Sequence, residues 1–506
     1  KSLRAKLKAS DEEVSKVLSS KRPTVNFSGN FGRDSTTTIN TSGVESTVDN
    51  SPTSVELEIK QNLYDSGRSK YNLGRTDSMI FAERAELASM EQKILLSTAQ
   101  VYLELFTAID LNKLYNSMKK VTLKPAKEKS LLRKHPWVFS GAIKNVEKDT
   151  KVGSIVEIFS NKDKYLATGH YNEGNISVRI FEFDRQEINE EYWKKKIKKA
   201  YNQRKNTIEI SSNNNVYRLV HAEGDQMPGF ICDIYNKVAI FQFHSIGMWK
   251  HKEVFTKIVL ELLPLDVIYD KSEKTLPKIY IEEFKIKNSF LFQKKKISNT
   301  KVIENGNEFL IDWQNGQKTG FFIDQRENRQ YLAELAKNKK ILNTFCYSGG
   351  FSIYALNNGA KEVHSLDSSQ KAIELLEDNL SFVADFNDNH RSIIDDAKEY
   401  MKNLEDQYDI IILDPPAFAK HMKVKHKALQ GYKRLNTRAI EQIKPNGVLF
   451  TFSCSQVIDN NLFRHMVLSS AIAAGRNVSI LKLMHQPADH PISIFHPESE
   501  YLKGLV

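Results

Sequence analysis

Cysteine is scarce: Cys232, Cys346 and Cys454 are the only three among 506 residues. Three cannot build a disulfide framework, and their spacing matches no zinc-ligand pattern. A reducing, cytoplasmic setting is therefore the simplest expectation. Nowhere does the chain approach the roughly 20 consecutive apolar residues of a membrane helix. No internal repeat is visible. The chain opens at Lys1 with neither a methionine nor a signal-like segment, so its own start is expected upstream. Acidic charge is in deficit, with 62 Asp and Glu against 73 Lys and Arg and a net charge of +11. Such an excess favours polyanionic partners.

The cations gather at Lys119-Lys120, Arg133-Lys134-His135, Lys194-Lys195-Lys196 with Lys198-Lys199, Lys294-Lys295-Lys296, and from Lys420 to Lys427. Any one cluster reads as solvated surface; several in one chain with a catalytic-looking domain point to nucleic acid. The length predicts two to four domains.

The boundaries fall at composition changes. Residues 1–117 form an appendage. Thr24–Phe31 and Ser54–Lys60 alternate polar and apolar residues and read as two strands around a Ser/Thr/Asn/Gly-rich loop. Asp65-Ser66-Gly67-Arg68 opens a long proline-free helix reaching about Leu114. Residues 118–186 carry short strands with glycine turns, the pattern of a small β-barrel. At its start lies Arg133-Lys134-His135-Pro136-Trp137-Val138-Phe139, where cations beside aromatics suit phosphates and stacked bases, although Trp137 and Phe139 equally suit a barrel core. Residues 187–296 begin with a basic helix and mix strands with a helix near Trp249–Leu263, an α+β domain ending in a linker at Lys294–Thr300.

Residues 297–506 alternate strands and helices, as a parallel sheet with crossover helices does. Lys340–Cys346 runs into Tyr347-Ser348-Gly349-Gly350, where glycine permits close backbone approach to a ligand. The spacing is not G-x-G-x-x-G, so dinucleotide binding is not indicated. The next strand ends in Asp367, 18 positions after Gly349, suited to ribose hydroxyls. A third ends in Asp395-Asp396, suited to an adenine amino group. A fourth ends in Asp414-Pro415-Pro416-Ala417-Phe418, and a fifth in Thr451-Phe452-Ser453-Cys454-Ser455. Each acid alone could simply cap a helix. Five successive strands ending in ligand-suited residues at the carboxyl edge of a sheet give the pattern of an S-adenosylmethionine (SAM)-dependent methyltransferase with a Rossmann-like α/β fold.

Residues 118–506 resemble the ribosomal RNA large subunit methyltransferase I family. The resemblance lies in Glu128 to Ala142, Gly224 to Gly229, Lys318-Thr319-Gly320-Phe321-Phe322-Ile323-Asp324-Gln325-Arg326, Asp414-Pro415-Pro416, Thr451 to Ser455, Ala488 to Pro491 and Tyr501 to Gly504. It implies a PUA RNA-binding domain, an α+β central domain, a SAM domain, and methylation of carbon 5 of a cytosine in 23S rRNA. It also implies that Lys318, Asp324, Gln325 and Arg326 border the pocket, with Asp324 and Arg326 on the cofactor side, and that Arg133, Lys134, Trp137, Lys318, Pro415, Pro416 and Phe418 face RNA. The chain ends soon after Gly504, which is expected to weaken the last edge strand. Residues 1–117 resemble a fragment of a TolC-like outer-membrane efflux protein, on Leu63 to Arg68, Ala82 to Ala85 and Val101 to Leu103.

Carbon 5 of cytosine attacks a methyl donor only after a nucleophile adds at carbon 6. Cys454 is the expected nucleophile, with its pKa lowered or its proton removed by a neighbour. Asp414 is expected to hold the base edge. A second cysteine beside this acid, common in RNA cytosine methyltransferases, is replaced by Ala417. Three alternatives stay open: an enzyme acting on exocyclic amines through Asp414-Pro415-Pro416, an efflux or envelope component through residues 1–117, and an RNA-binding module without activity.

Overall fold

The computed structural model describes residues 2–506 except 385, 403, 405, 406 and 420; the side chains of 104, 106–117 and 387 are also outside the description. Lys420, the first residue of one basic cluster, thus lies outside the described residues. The chain divides into two units, Lys1–Lys113 and Leu114–Val506.

The first unit holds a helix, Ser2–Ser19, then four strands, then the long helix Arg68–Ser117. Thr24–Phe31 pairs antiparallel with Thr53–Lys60, the two strands expected. The loop between them is not irregular. Asp34–Ile39 and Glu45–Asn50 form their own antiparallel ribbon, because β-branched residues fill both arms and Asn40 accepts hydrogen bonds from the Ser42 and Val44 amides at the turn. Asp65 caps the long helix, accepting from the Gly67 and Ser69 amides.

The second unit starts with a six-stranded barrel-like sheet built from Lys119–Leu123, Trp137–Phe139, Ile143–Val146, Ile155–Phe159, Tyr165–Tyr171 and Ile176–Glu182. Its core is Val121, Leu123, Leu131, Val138, Val156, Ile158, Ala167, Val178 and Ile180. Strand alternation therefore buries Val138, whereas Phe139 is exposed and Trp137 half-buried; the two aromatics do not fill the barrel. Next come the helix Glu190–Thr207 and a five-stranded mixed sheet from Val216 to Gln293.

The last sheet has seven strands, numbered here within it: β1 (Lys340–Thr344), β2 (Glu362–Asp367), β3 (His390–Ile394), β4 (Ile410–Leu413), β5 (Val448–Ser453), β6 (Leu483–Met484) and β7 (Lys503–Leu505). Their spatial order is 3-2-1-4-5-7-6. Strands β1 to β5 are parallel, and β7 runs antiparallel between β5 and β6. The short β6 thus forms the edge and the final strand is internal, contrary to expectation: Gly504 and Leu505 pair on both sides, and Lys503 pairs with Ser453 of β5. The Ile-Ile-Ile-Leu run of β4 is buried throughout, as a parallel strand covered by helices on both faces must be.

A buried ionic network joins the central sheet to this domain. Arg218 grips Asp233 through two nitrogens at 2.7 and 2.9 Å. Asp489 accepts from the Arg218 amide at 3.0 Å and from Arg326 at 2.7 Å. Thr319 donates to Asp233 at 2.6 Å, which anchors the segment between the hairpin Thr300–Ile311 and the helix Arg326–Leu335 across the carboxyl edge of the seven-stranded sheet.

Candidate active site

A cavity of about 370 Å³ opens at that edge. It gathers residues from the turns after β1, β2, β4 and β5, from the short helix after β3, and from the anchored segment. Of the residues singled out from sequence, Lys318, Asp324, Gln325, Tyr347, Ser348, Asp367, Asp396, Asp414, Pro415, Pro416, Phe418 and Cys454 line it.

The glycine turn forms one end. Phe345, Tyr347 and Gly349 all have positive φ, 58°, 47° and 81°, so the backbone folds tightly before the helix Gly350–Asn357. A Cβ on Gly349 would stand 2.1 Å from Leu376 Cδ1, and its φ of 81° strains any residue with a side chain. Asp367 accepts from the Tyr347 amide at 3.1 Å and the Ser369 amide at 2.9 Å, which fixes its carboxylate beside the turn. Tyr347 Oη accepts from the Gln317 amide and donates to Gly320 O. Burial pushes this phenol up to about 12, so it stays neutral.

Asp396 plays both parts considered for it. It caps the helical turn Ala397–Tyr400, accepting from Lys398 and Glu399 amides, and it also lines the cavity. Asp395 is exposed, accepts from the Asp396 amide, and does not line it. Gly350 lies behind the turn, against Arg329. Arg326 turns away altogether: it is 3% exposed, donates to Asp489 and Val216 O, and lies 3.6 Å from Glu304. The family resemblance implied a pocket position for it that its buried ion pairs do not give.

The other end of the cavity holds Cys454, Asp414 and Asp324. Asp414 accepts from Gln325 Nε2 at 3.0 Å. Burial and the nearby Asp324 charge push Asp414 up to about 7. Asp324 goes the other way. Burial would raise it, but Lys318, His490 and the hydrogen bond from Tyr501 at 2.7 Å hold it well below the usual carboxylate range. Two carboxyls in one cavity thus separate into an acid and a permanent anion.

Cys454 is half-buried at the end of β5. Burial raises the thiol, with Asp414 and Asp324 acting in the same direction, while Lys318 and Lys503 oppose them. Lys503 is buried, donates to Ser455 O at 2.9 Å and Tyr501 O at 2.6 Å, and burial brings it down to about 8. Phe418 packs on Tyr432 with centroids 4.5 Å apart and still borders the cavity. Cys232 and Cys346 are both buried; Cys346 touches the cavity beside the glycine turn, and burial raises both thiols.

Arg133, Lys134 and Trp137 sit on the barrel, outside this cavity. Arg133 and Lys134 are exposed, and Trp137 donates through Nε1 to Glu223 at 2.9 Å. Lys503, Tyr501, Phe322 and Lys398 were missed as site residues. The first three stood inside quoted motifs, but only the antiparallel return of the chain beside β5 brings Lys503 near Cys454 and Tyr501 to Asp324.

The chain was compared with known proteins. A family model described as a PUA-like domain matches residues 121–183, and one described as an S-adenosylmethionine-dependent methyltransferase matches residues 289–491. Both matches begin after residue 117, so they lend no support to the efflux resemblance of the appendage. The chain is 36% identical over 392 residues to Ribosomal RNA large subunit methyltransferase I of Aeromonas hydrophila, covering 76% of this chain and 98% of that protein. It is 34% identical over 395 residues to the protein of the same name from Vibrio vulnificus, with the same coverage. Among solved structures, a Streptococcus mutans protein assigned as a SAM-dependent methyltransferase superposes with a TM-score of 0.65 at 23% identity, covering 77% of this chain and 99% of that one. A further methyltransferase structure, complexed with SAH, gives 0.66 at 23% identity over the same shares; both establish the shared fold. Sheet order, strand-end cavity and near-complete alignment with relatives above 30% identity converge: the chain belongs to the ribosomal RNA large subunit methyltransferase I family, with a PUA-like domain followed by a SAM-dependent methyltransferase domain.

Proposed function

We propose that this protein methylates carbon 5 of a cytosine in large-subunit ribosomal RNA, the 23S molecule, through a covalent adduct on Cys454. The observation that carries the reading is the meeting of Cys454 and Asp414 in one cavity whose far end is the glycine turn with Asp367.

SAM, when bound, supplies an electrophilic methyl group. The residues present fit it: the turn at Tyr347–Gly350 allows close backbone approach, and Asp367 and Asp396 offer acceptors on the same side. The chain's own groups do the rest. Asp414, near 7, is available in its protonated form to donate to N3 of the base. This favours addition of the sulfur at carbon 6 and leaves carbon 5 nucleophilic. The thiol proton has to leave first, and Lys318 and Lys503 are the cations that favour the thiolate. After methyl transfer, solvent water takes the carbon 5 proton, the bond from carbon 6 to sulfur breaks as the ring double bond reforms, and N3 returns its proton to Asp414. Phe418 and Pro416 border the place the base would occupy, and a base can reach it only when unpaired or flipped. The exposed Arg133 and Lys134 on the PUA-like domain are proposed to hold the RNA backbone.

Labelled SAM with unmodified 23S rRNA and the full chain tests this. Mapping should find one methylated cytosine, and Cys454→Ala should abolish transfer while SAH binding persists. Full activity of that variant would instead favour methylation of an exocyclic amine, which needs no thiol.

A further inference from the structure

Three ligand-bearing side chains converge where the barrel meets the carboxyl-terminal segment, apart from the residues lining the cavity. They are His135, just before the strand Trp137–Phe139, and His496 and Glu498. Nothing in their spacing announces this, since His135 and His496 stand 361 positions apart.

The Glu498 Oε2 atom lies 3.5 Å from His135 Nε2 and 3.6 Å from His496 Nε2. One donor atom from each of the three lies within 4.8 Å of the other two. Ligands at the zinc distances of about 2.0–2.2 Å in a tetrahedron stand about 3.4 Å apart, so the two shorter separations already match and the histidines need a modest approach. A second observation points the same way. His496 is 3% exposed, and neither Nδ1 nor Nε2 has a hydrogen-bond partner among the described residues. A buried polar atom without a partner is unfavourable, and coordination through Nε2 would relieve one of the two. The Glu498 side chain is 48% exposed, which leaves a path for an ion and room for a water in the fourth position. Trp137 closes the other side, edge to face with His496 at 4.3 Å. His135 Nδ1 accepts from the Trp137 amide at 3.2 Å and lies 3.4 Å from Trp137 O. A metal at Nε2 would put the proton on Nδ1 and exchange the bond from the amide for one to the carbonyl, the usual outer partner of a ligating histidine.

We propose that His135, His496 and Glu498 bind a divalent transition-metal ion of the zinc class, with a water as fourth ligand. Two histidines and one carboxylate suit zinc among the available cations. The ion ties the barrel to the segment that continues into Tyr501, Leu502 and Lys503, so its role is to brace the cavity wall beside Cys454 and Asp324.

The test uses the full chain stripped with a chelator, then titrated with zinc in competition with a chromophoric chelator, with thermal melting in parallel. The expected result is one zinc per chain, bound at micromolar or tighter concentration, and a raised melting temperature. Glu498→Gln, at an exposed carboxylate, and His496→Phe should each weaken binding at least tenfold and remove the rise in melting temperature. Cys454→Ser should leave both readouts unchanged. Absence of stoichiometric zinc overturns the proposal, and so does unaltered binding in both ligand variants, which would locate the metal elsewhere.

Discussion

Gln325 donates its side-chain amide to Asp414 Oδ2 at 3.0 Å, and Asn328 in turn donates to Gln325 Oε1 at 2.5 Å. The chain of amides fixes the carboxyl in position yet does not keep it ionised, because burial and Asp324 outweigh the donated hydrogen bond and raise Asp414 to about 7.

That shift has a stability consequence. A carboxyl whose folded pKa is above its unfolded value stabilises the fold fully below pH ~4, and the contribution is lost as pH rises toward 7. The unshifted value is 3.8; with partial exposure discounting the full amount, the loss is on the order of 2 kcal/mol. Asp414→Asn should escape it. Urea unfolding at pH 4.5 and pH 8 should show the variant gaining on the wild type at the higher pH, while its methyl-transfer rate falls at least a hundredfold.

Cys454 rests as a thiol, with Lys318 and Lys503 as the opposing cations. Lys503→Met removes one of them and should raise the thiol further. Iodoacetamide labelling of Cys454 at pH 8, followed by mass spectrometry, should slow about three- to tenfold, and the pH profile of methyl transfer should move toward higher pH. Unchanged labelling would show that Lys503 has no electrostatic hold on the sulfur.

Gly349→Ala meets two obstacles: a backbone at φ 81° and a Cβ 2.1 Å from Leu376 Cδ1. SAH affinity, read by calorimetry, should drop at least tenfold. Adding Leu376→Ala relieves the contact but not the backbone strain, so recovery should be partial.

Asp489 takes hydrogen bonds from Arg326 and from the Arg218 amide in a fully buried setting. Asp489→Ala leaves Arg326 with Glu304 at 3.6 Å as its remaining carboxylate. Removing one partner of a buried pair costs about 3–5 kcal/mol, and the urea midpoint should fall accordingly. Arg326→Met with Asp489→Leu should recover much of the loss, since no charge is then stranded.

Much of this protein was legible in its sequence, for a definite reason. Parallel strands buried on both faces must be short apolar runs, so β1, β2, β4 and β5 announce themselves. The residue at each strand end is fixed in the carboxyl-edge crevice by connectivity alone, which is why Asp367, Asp396, Asp414 and Cys454 share a cavity as expected. The barrel strands were visible because glycine turns interrupt alternating residues. The ribbon Asp34–Ile39 with Glu45–Asn50 escaped notice because its strands are polar on both faces, and composition then resembles a loop.

Tertiary structure decided what depends on residues distant in the chain. The family resemblance put Arg326 on the cofactor side, but a buried charge needs its counter-charge, and Asp489 holds it in the core. The antiparallel return of β7 brought Lys503 beside Cys454 and made an internal strand of what was expected to be an edge. The sequence alone determined which groups stand at the top of the sheet; only the packed fold set how much water each one keeps and which charges face it. Burial beside the Asp324 charge makes Asp414 an acid near neutrality and raises the Cys454 thiol, whereas Lys318, His490 and the Tyr501 hydroxyl keep the buried Asp324 charged.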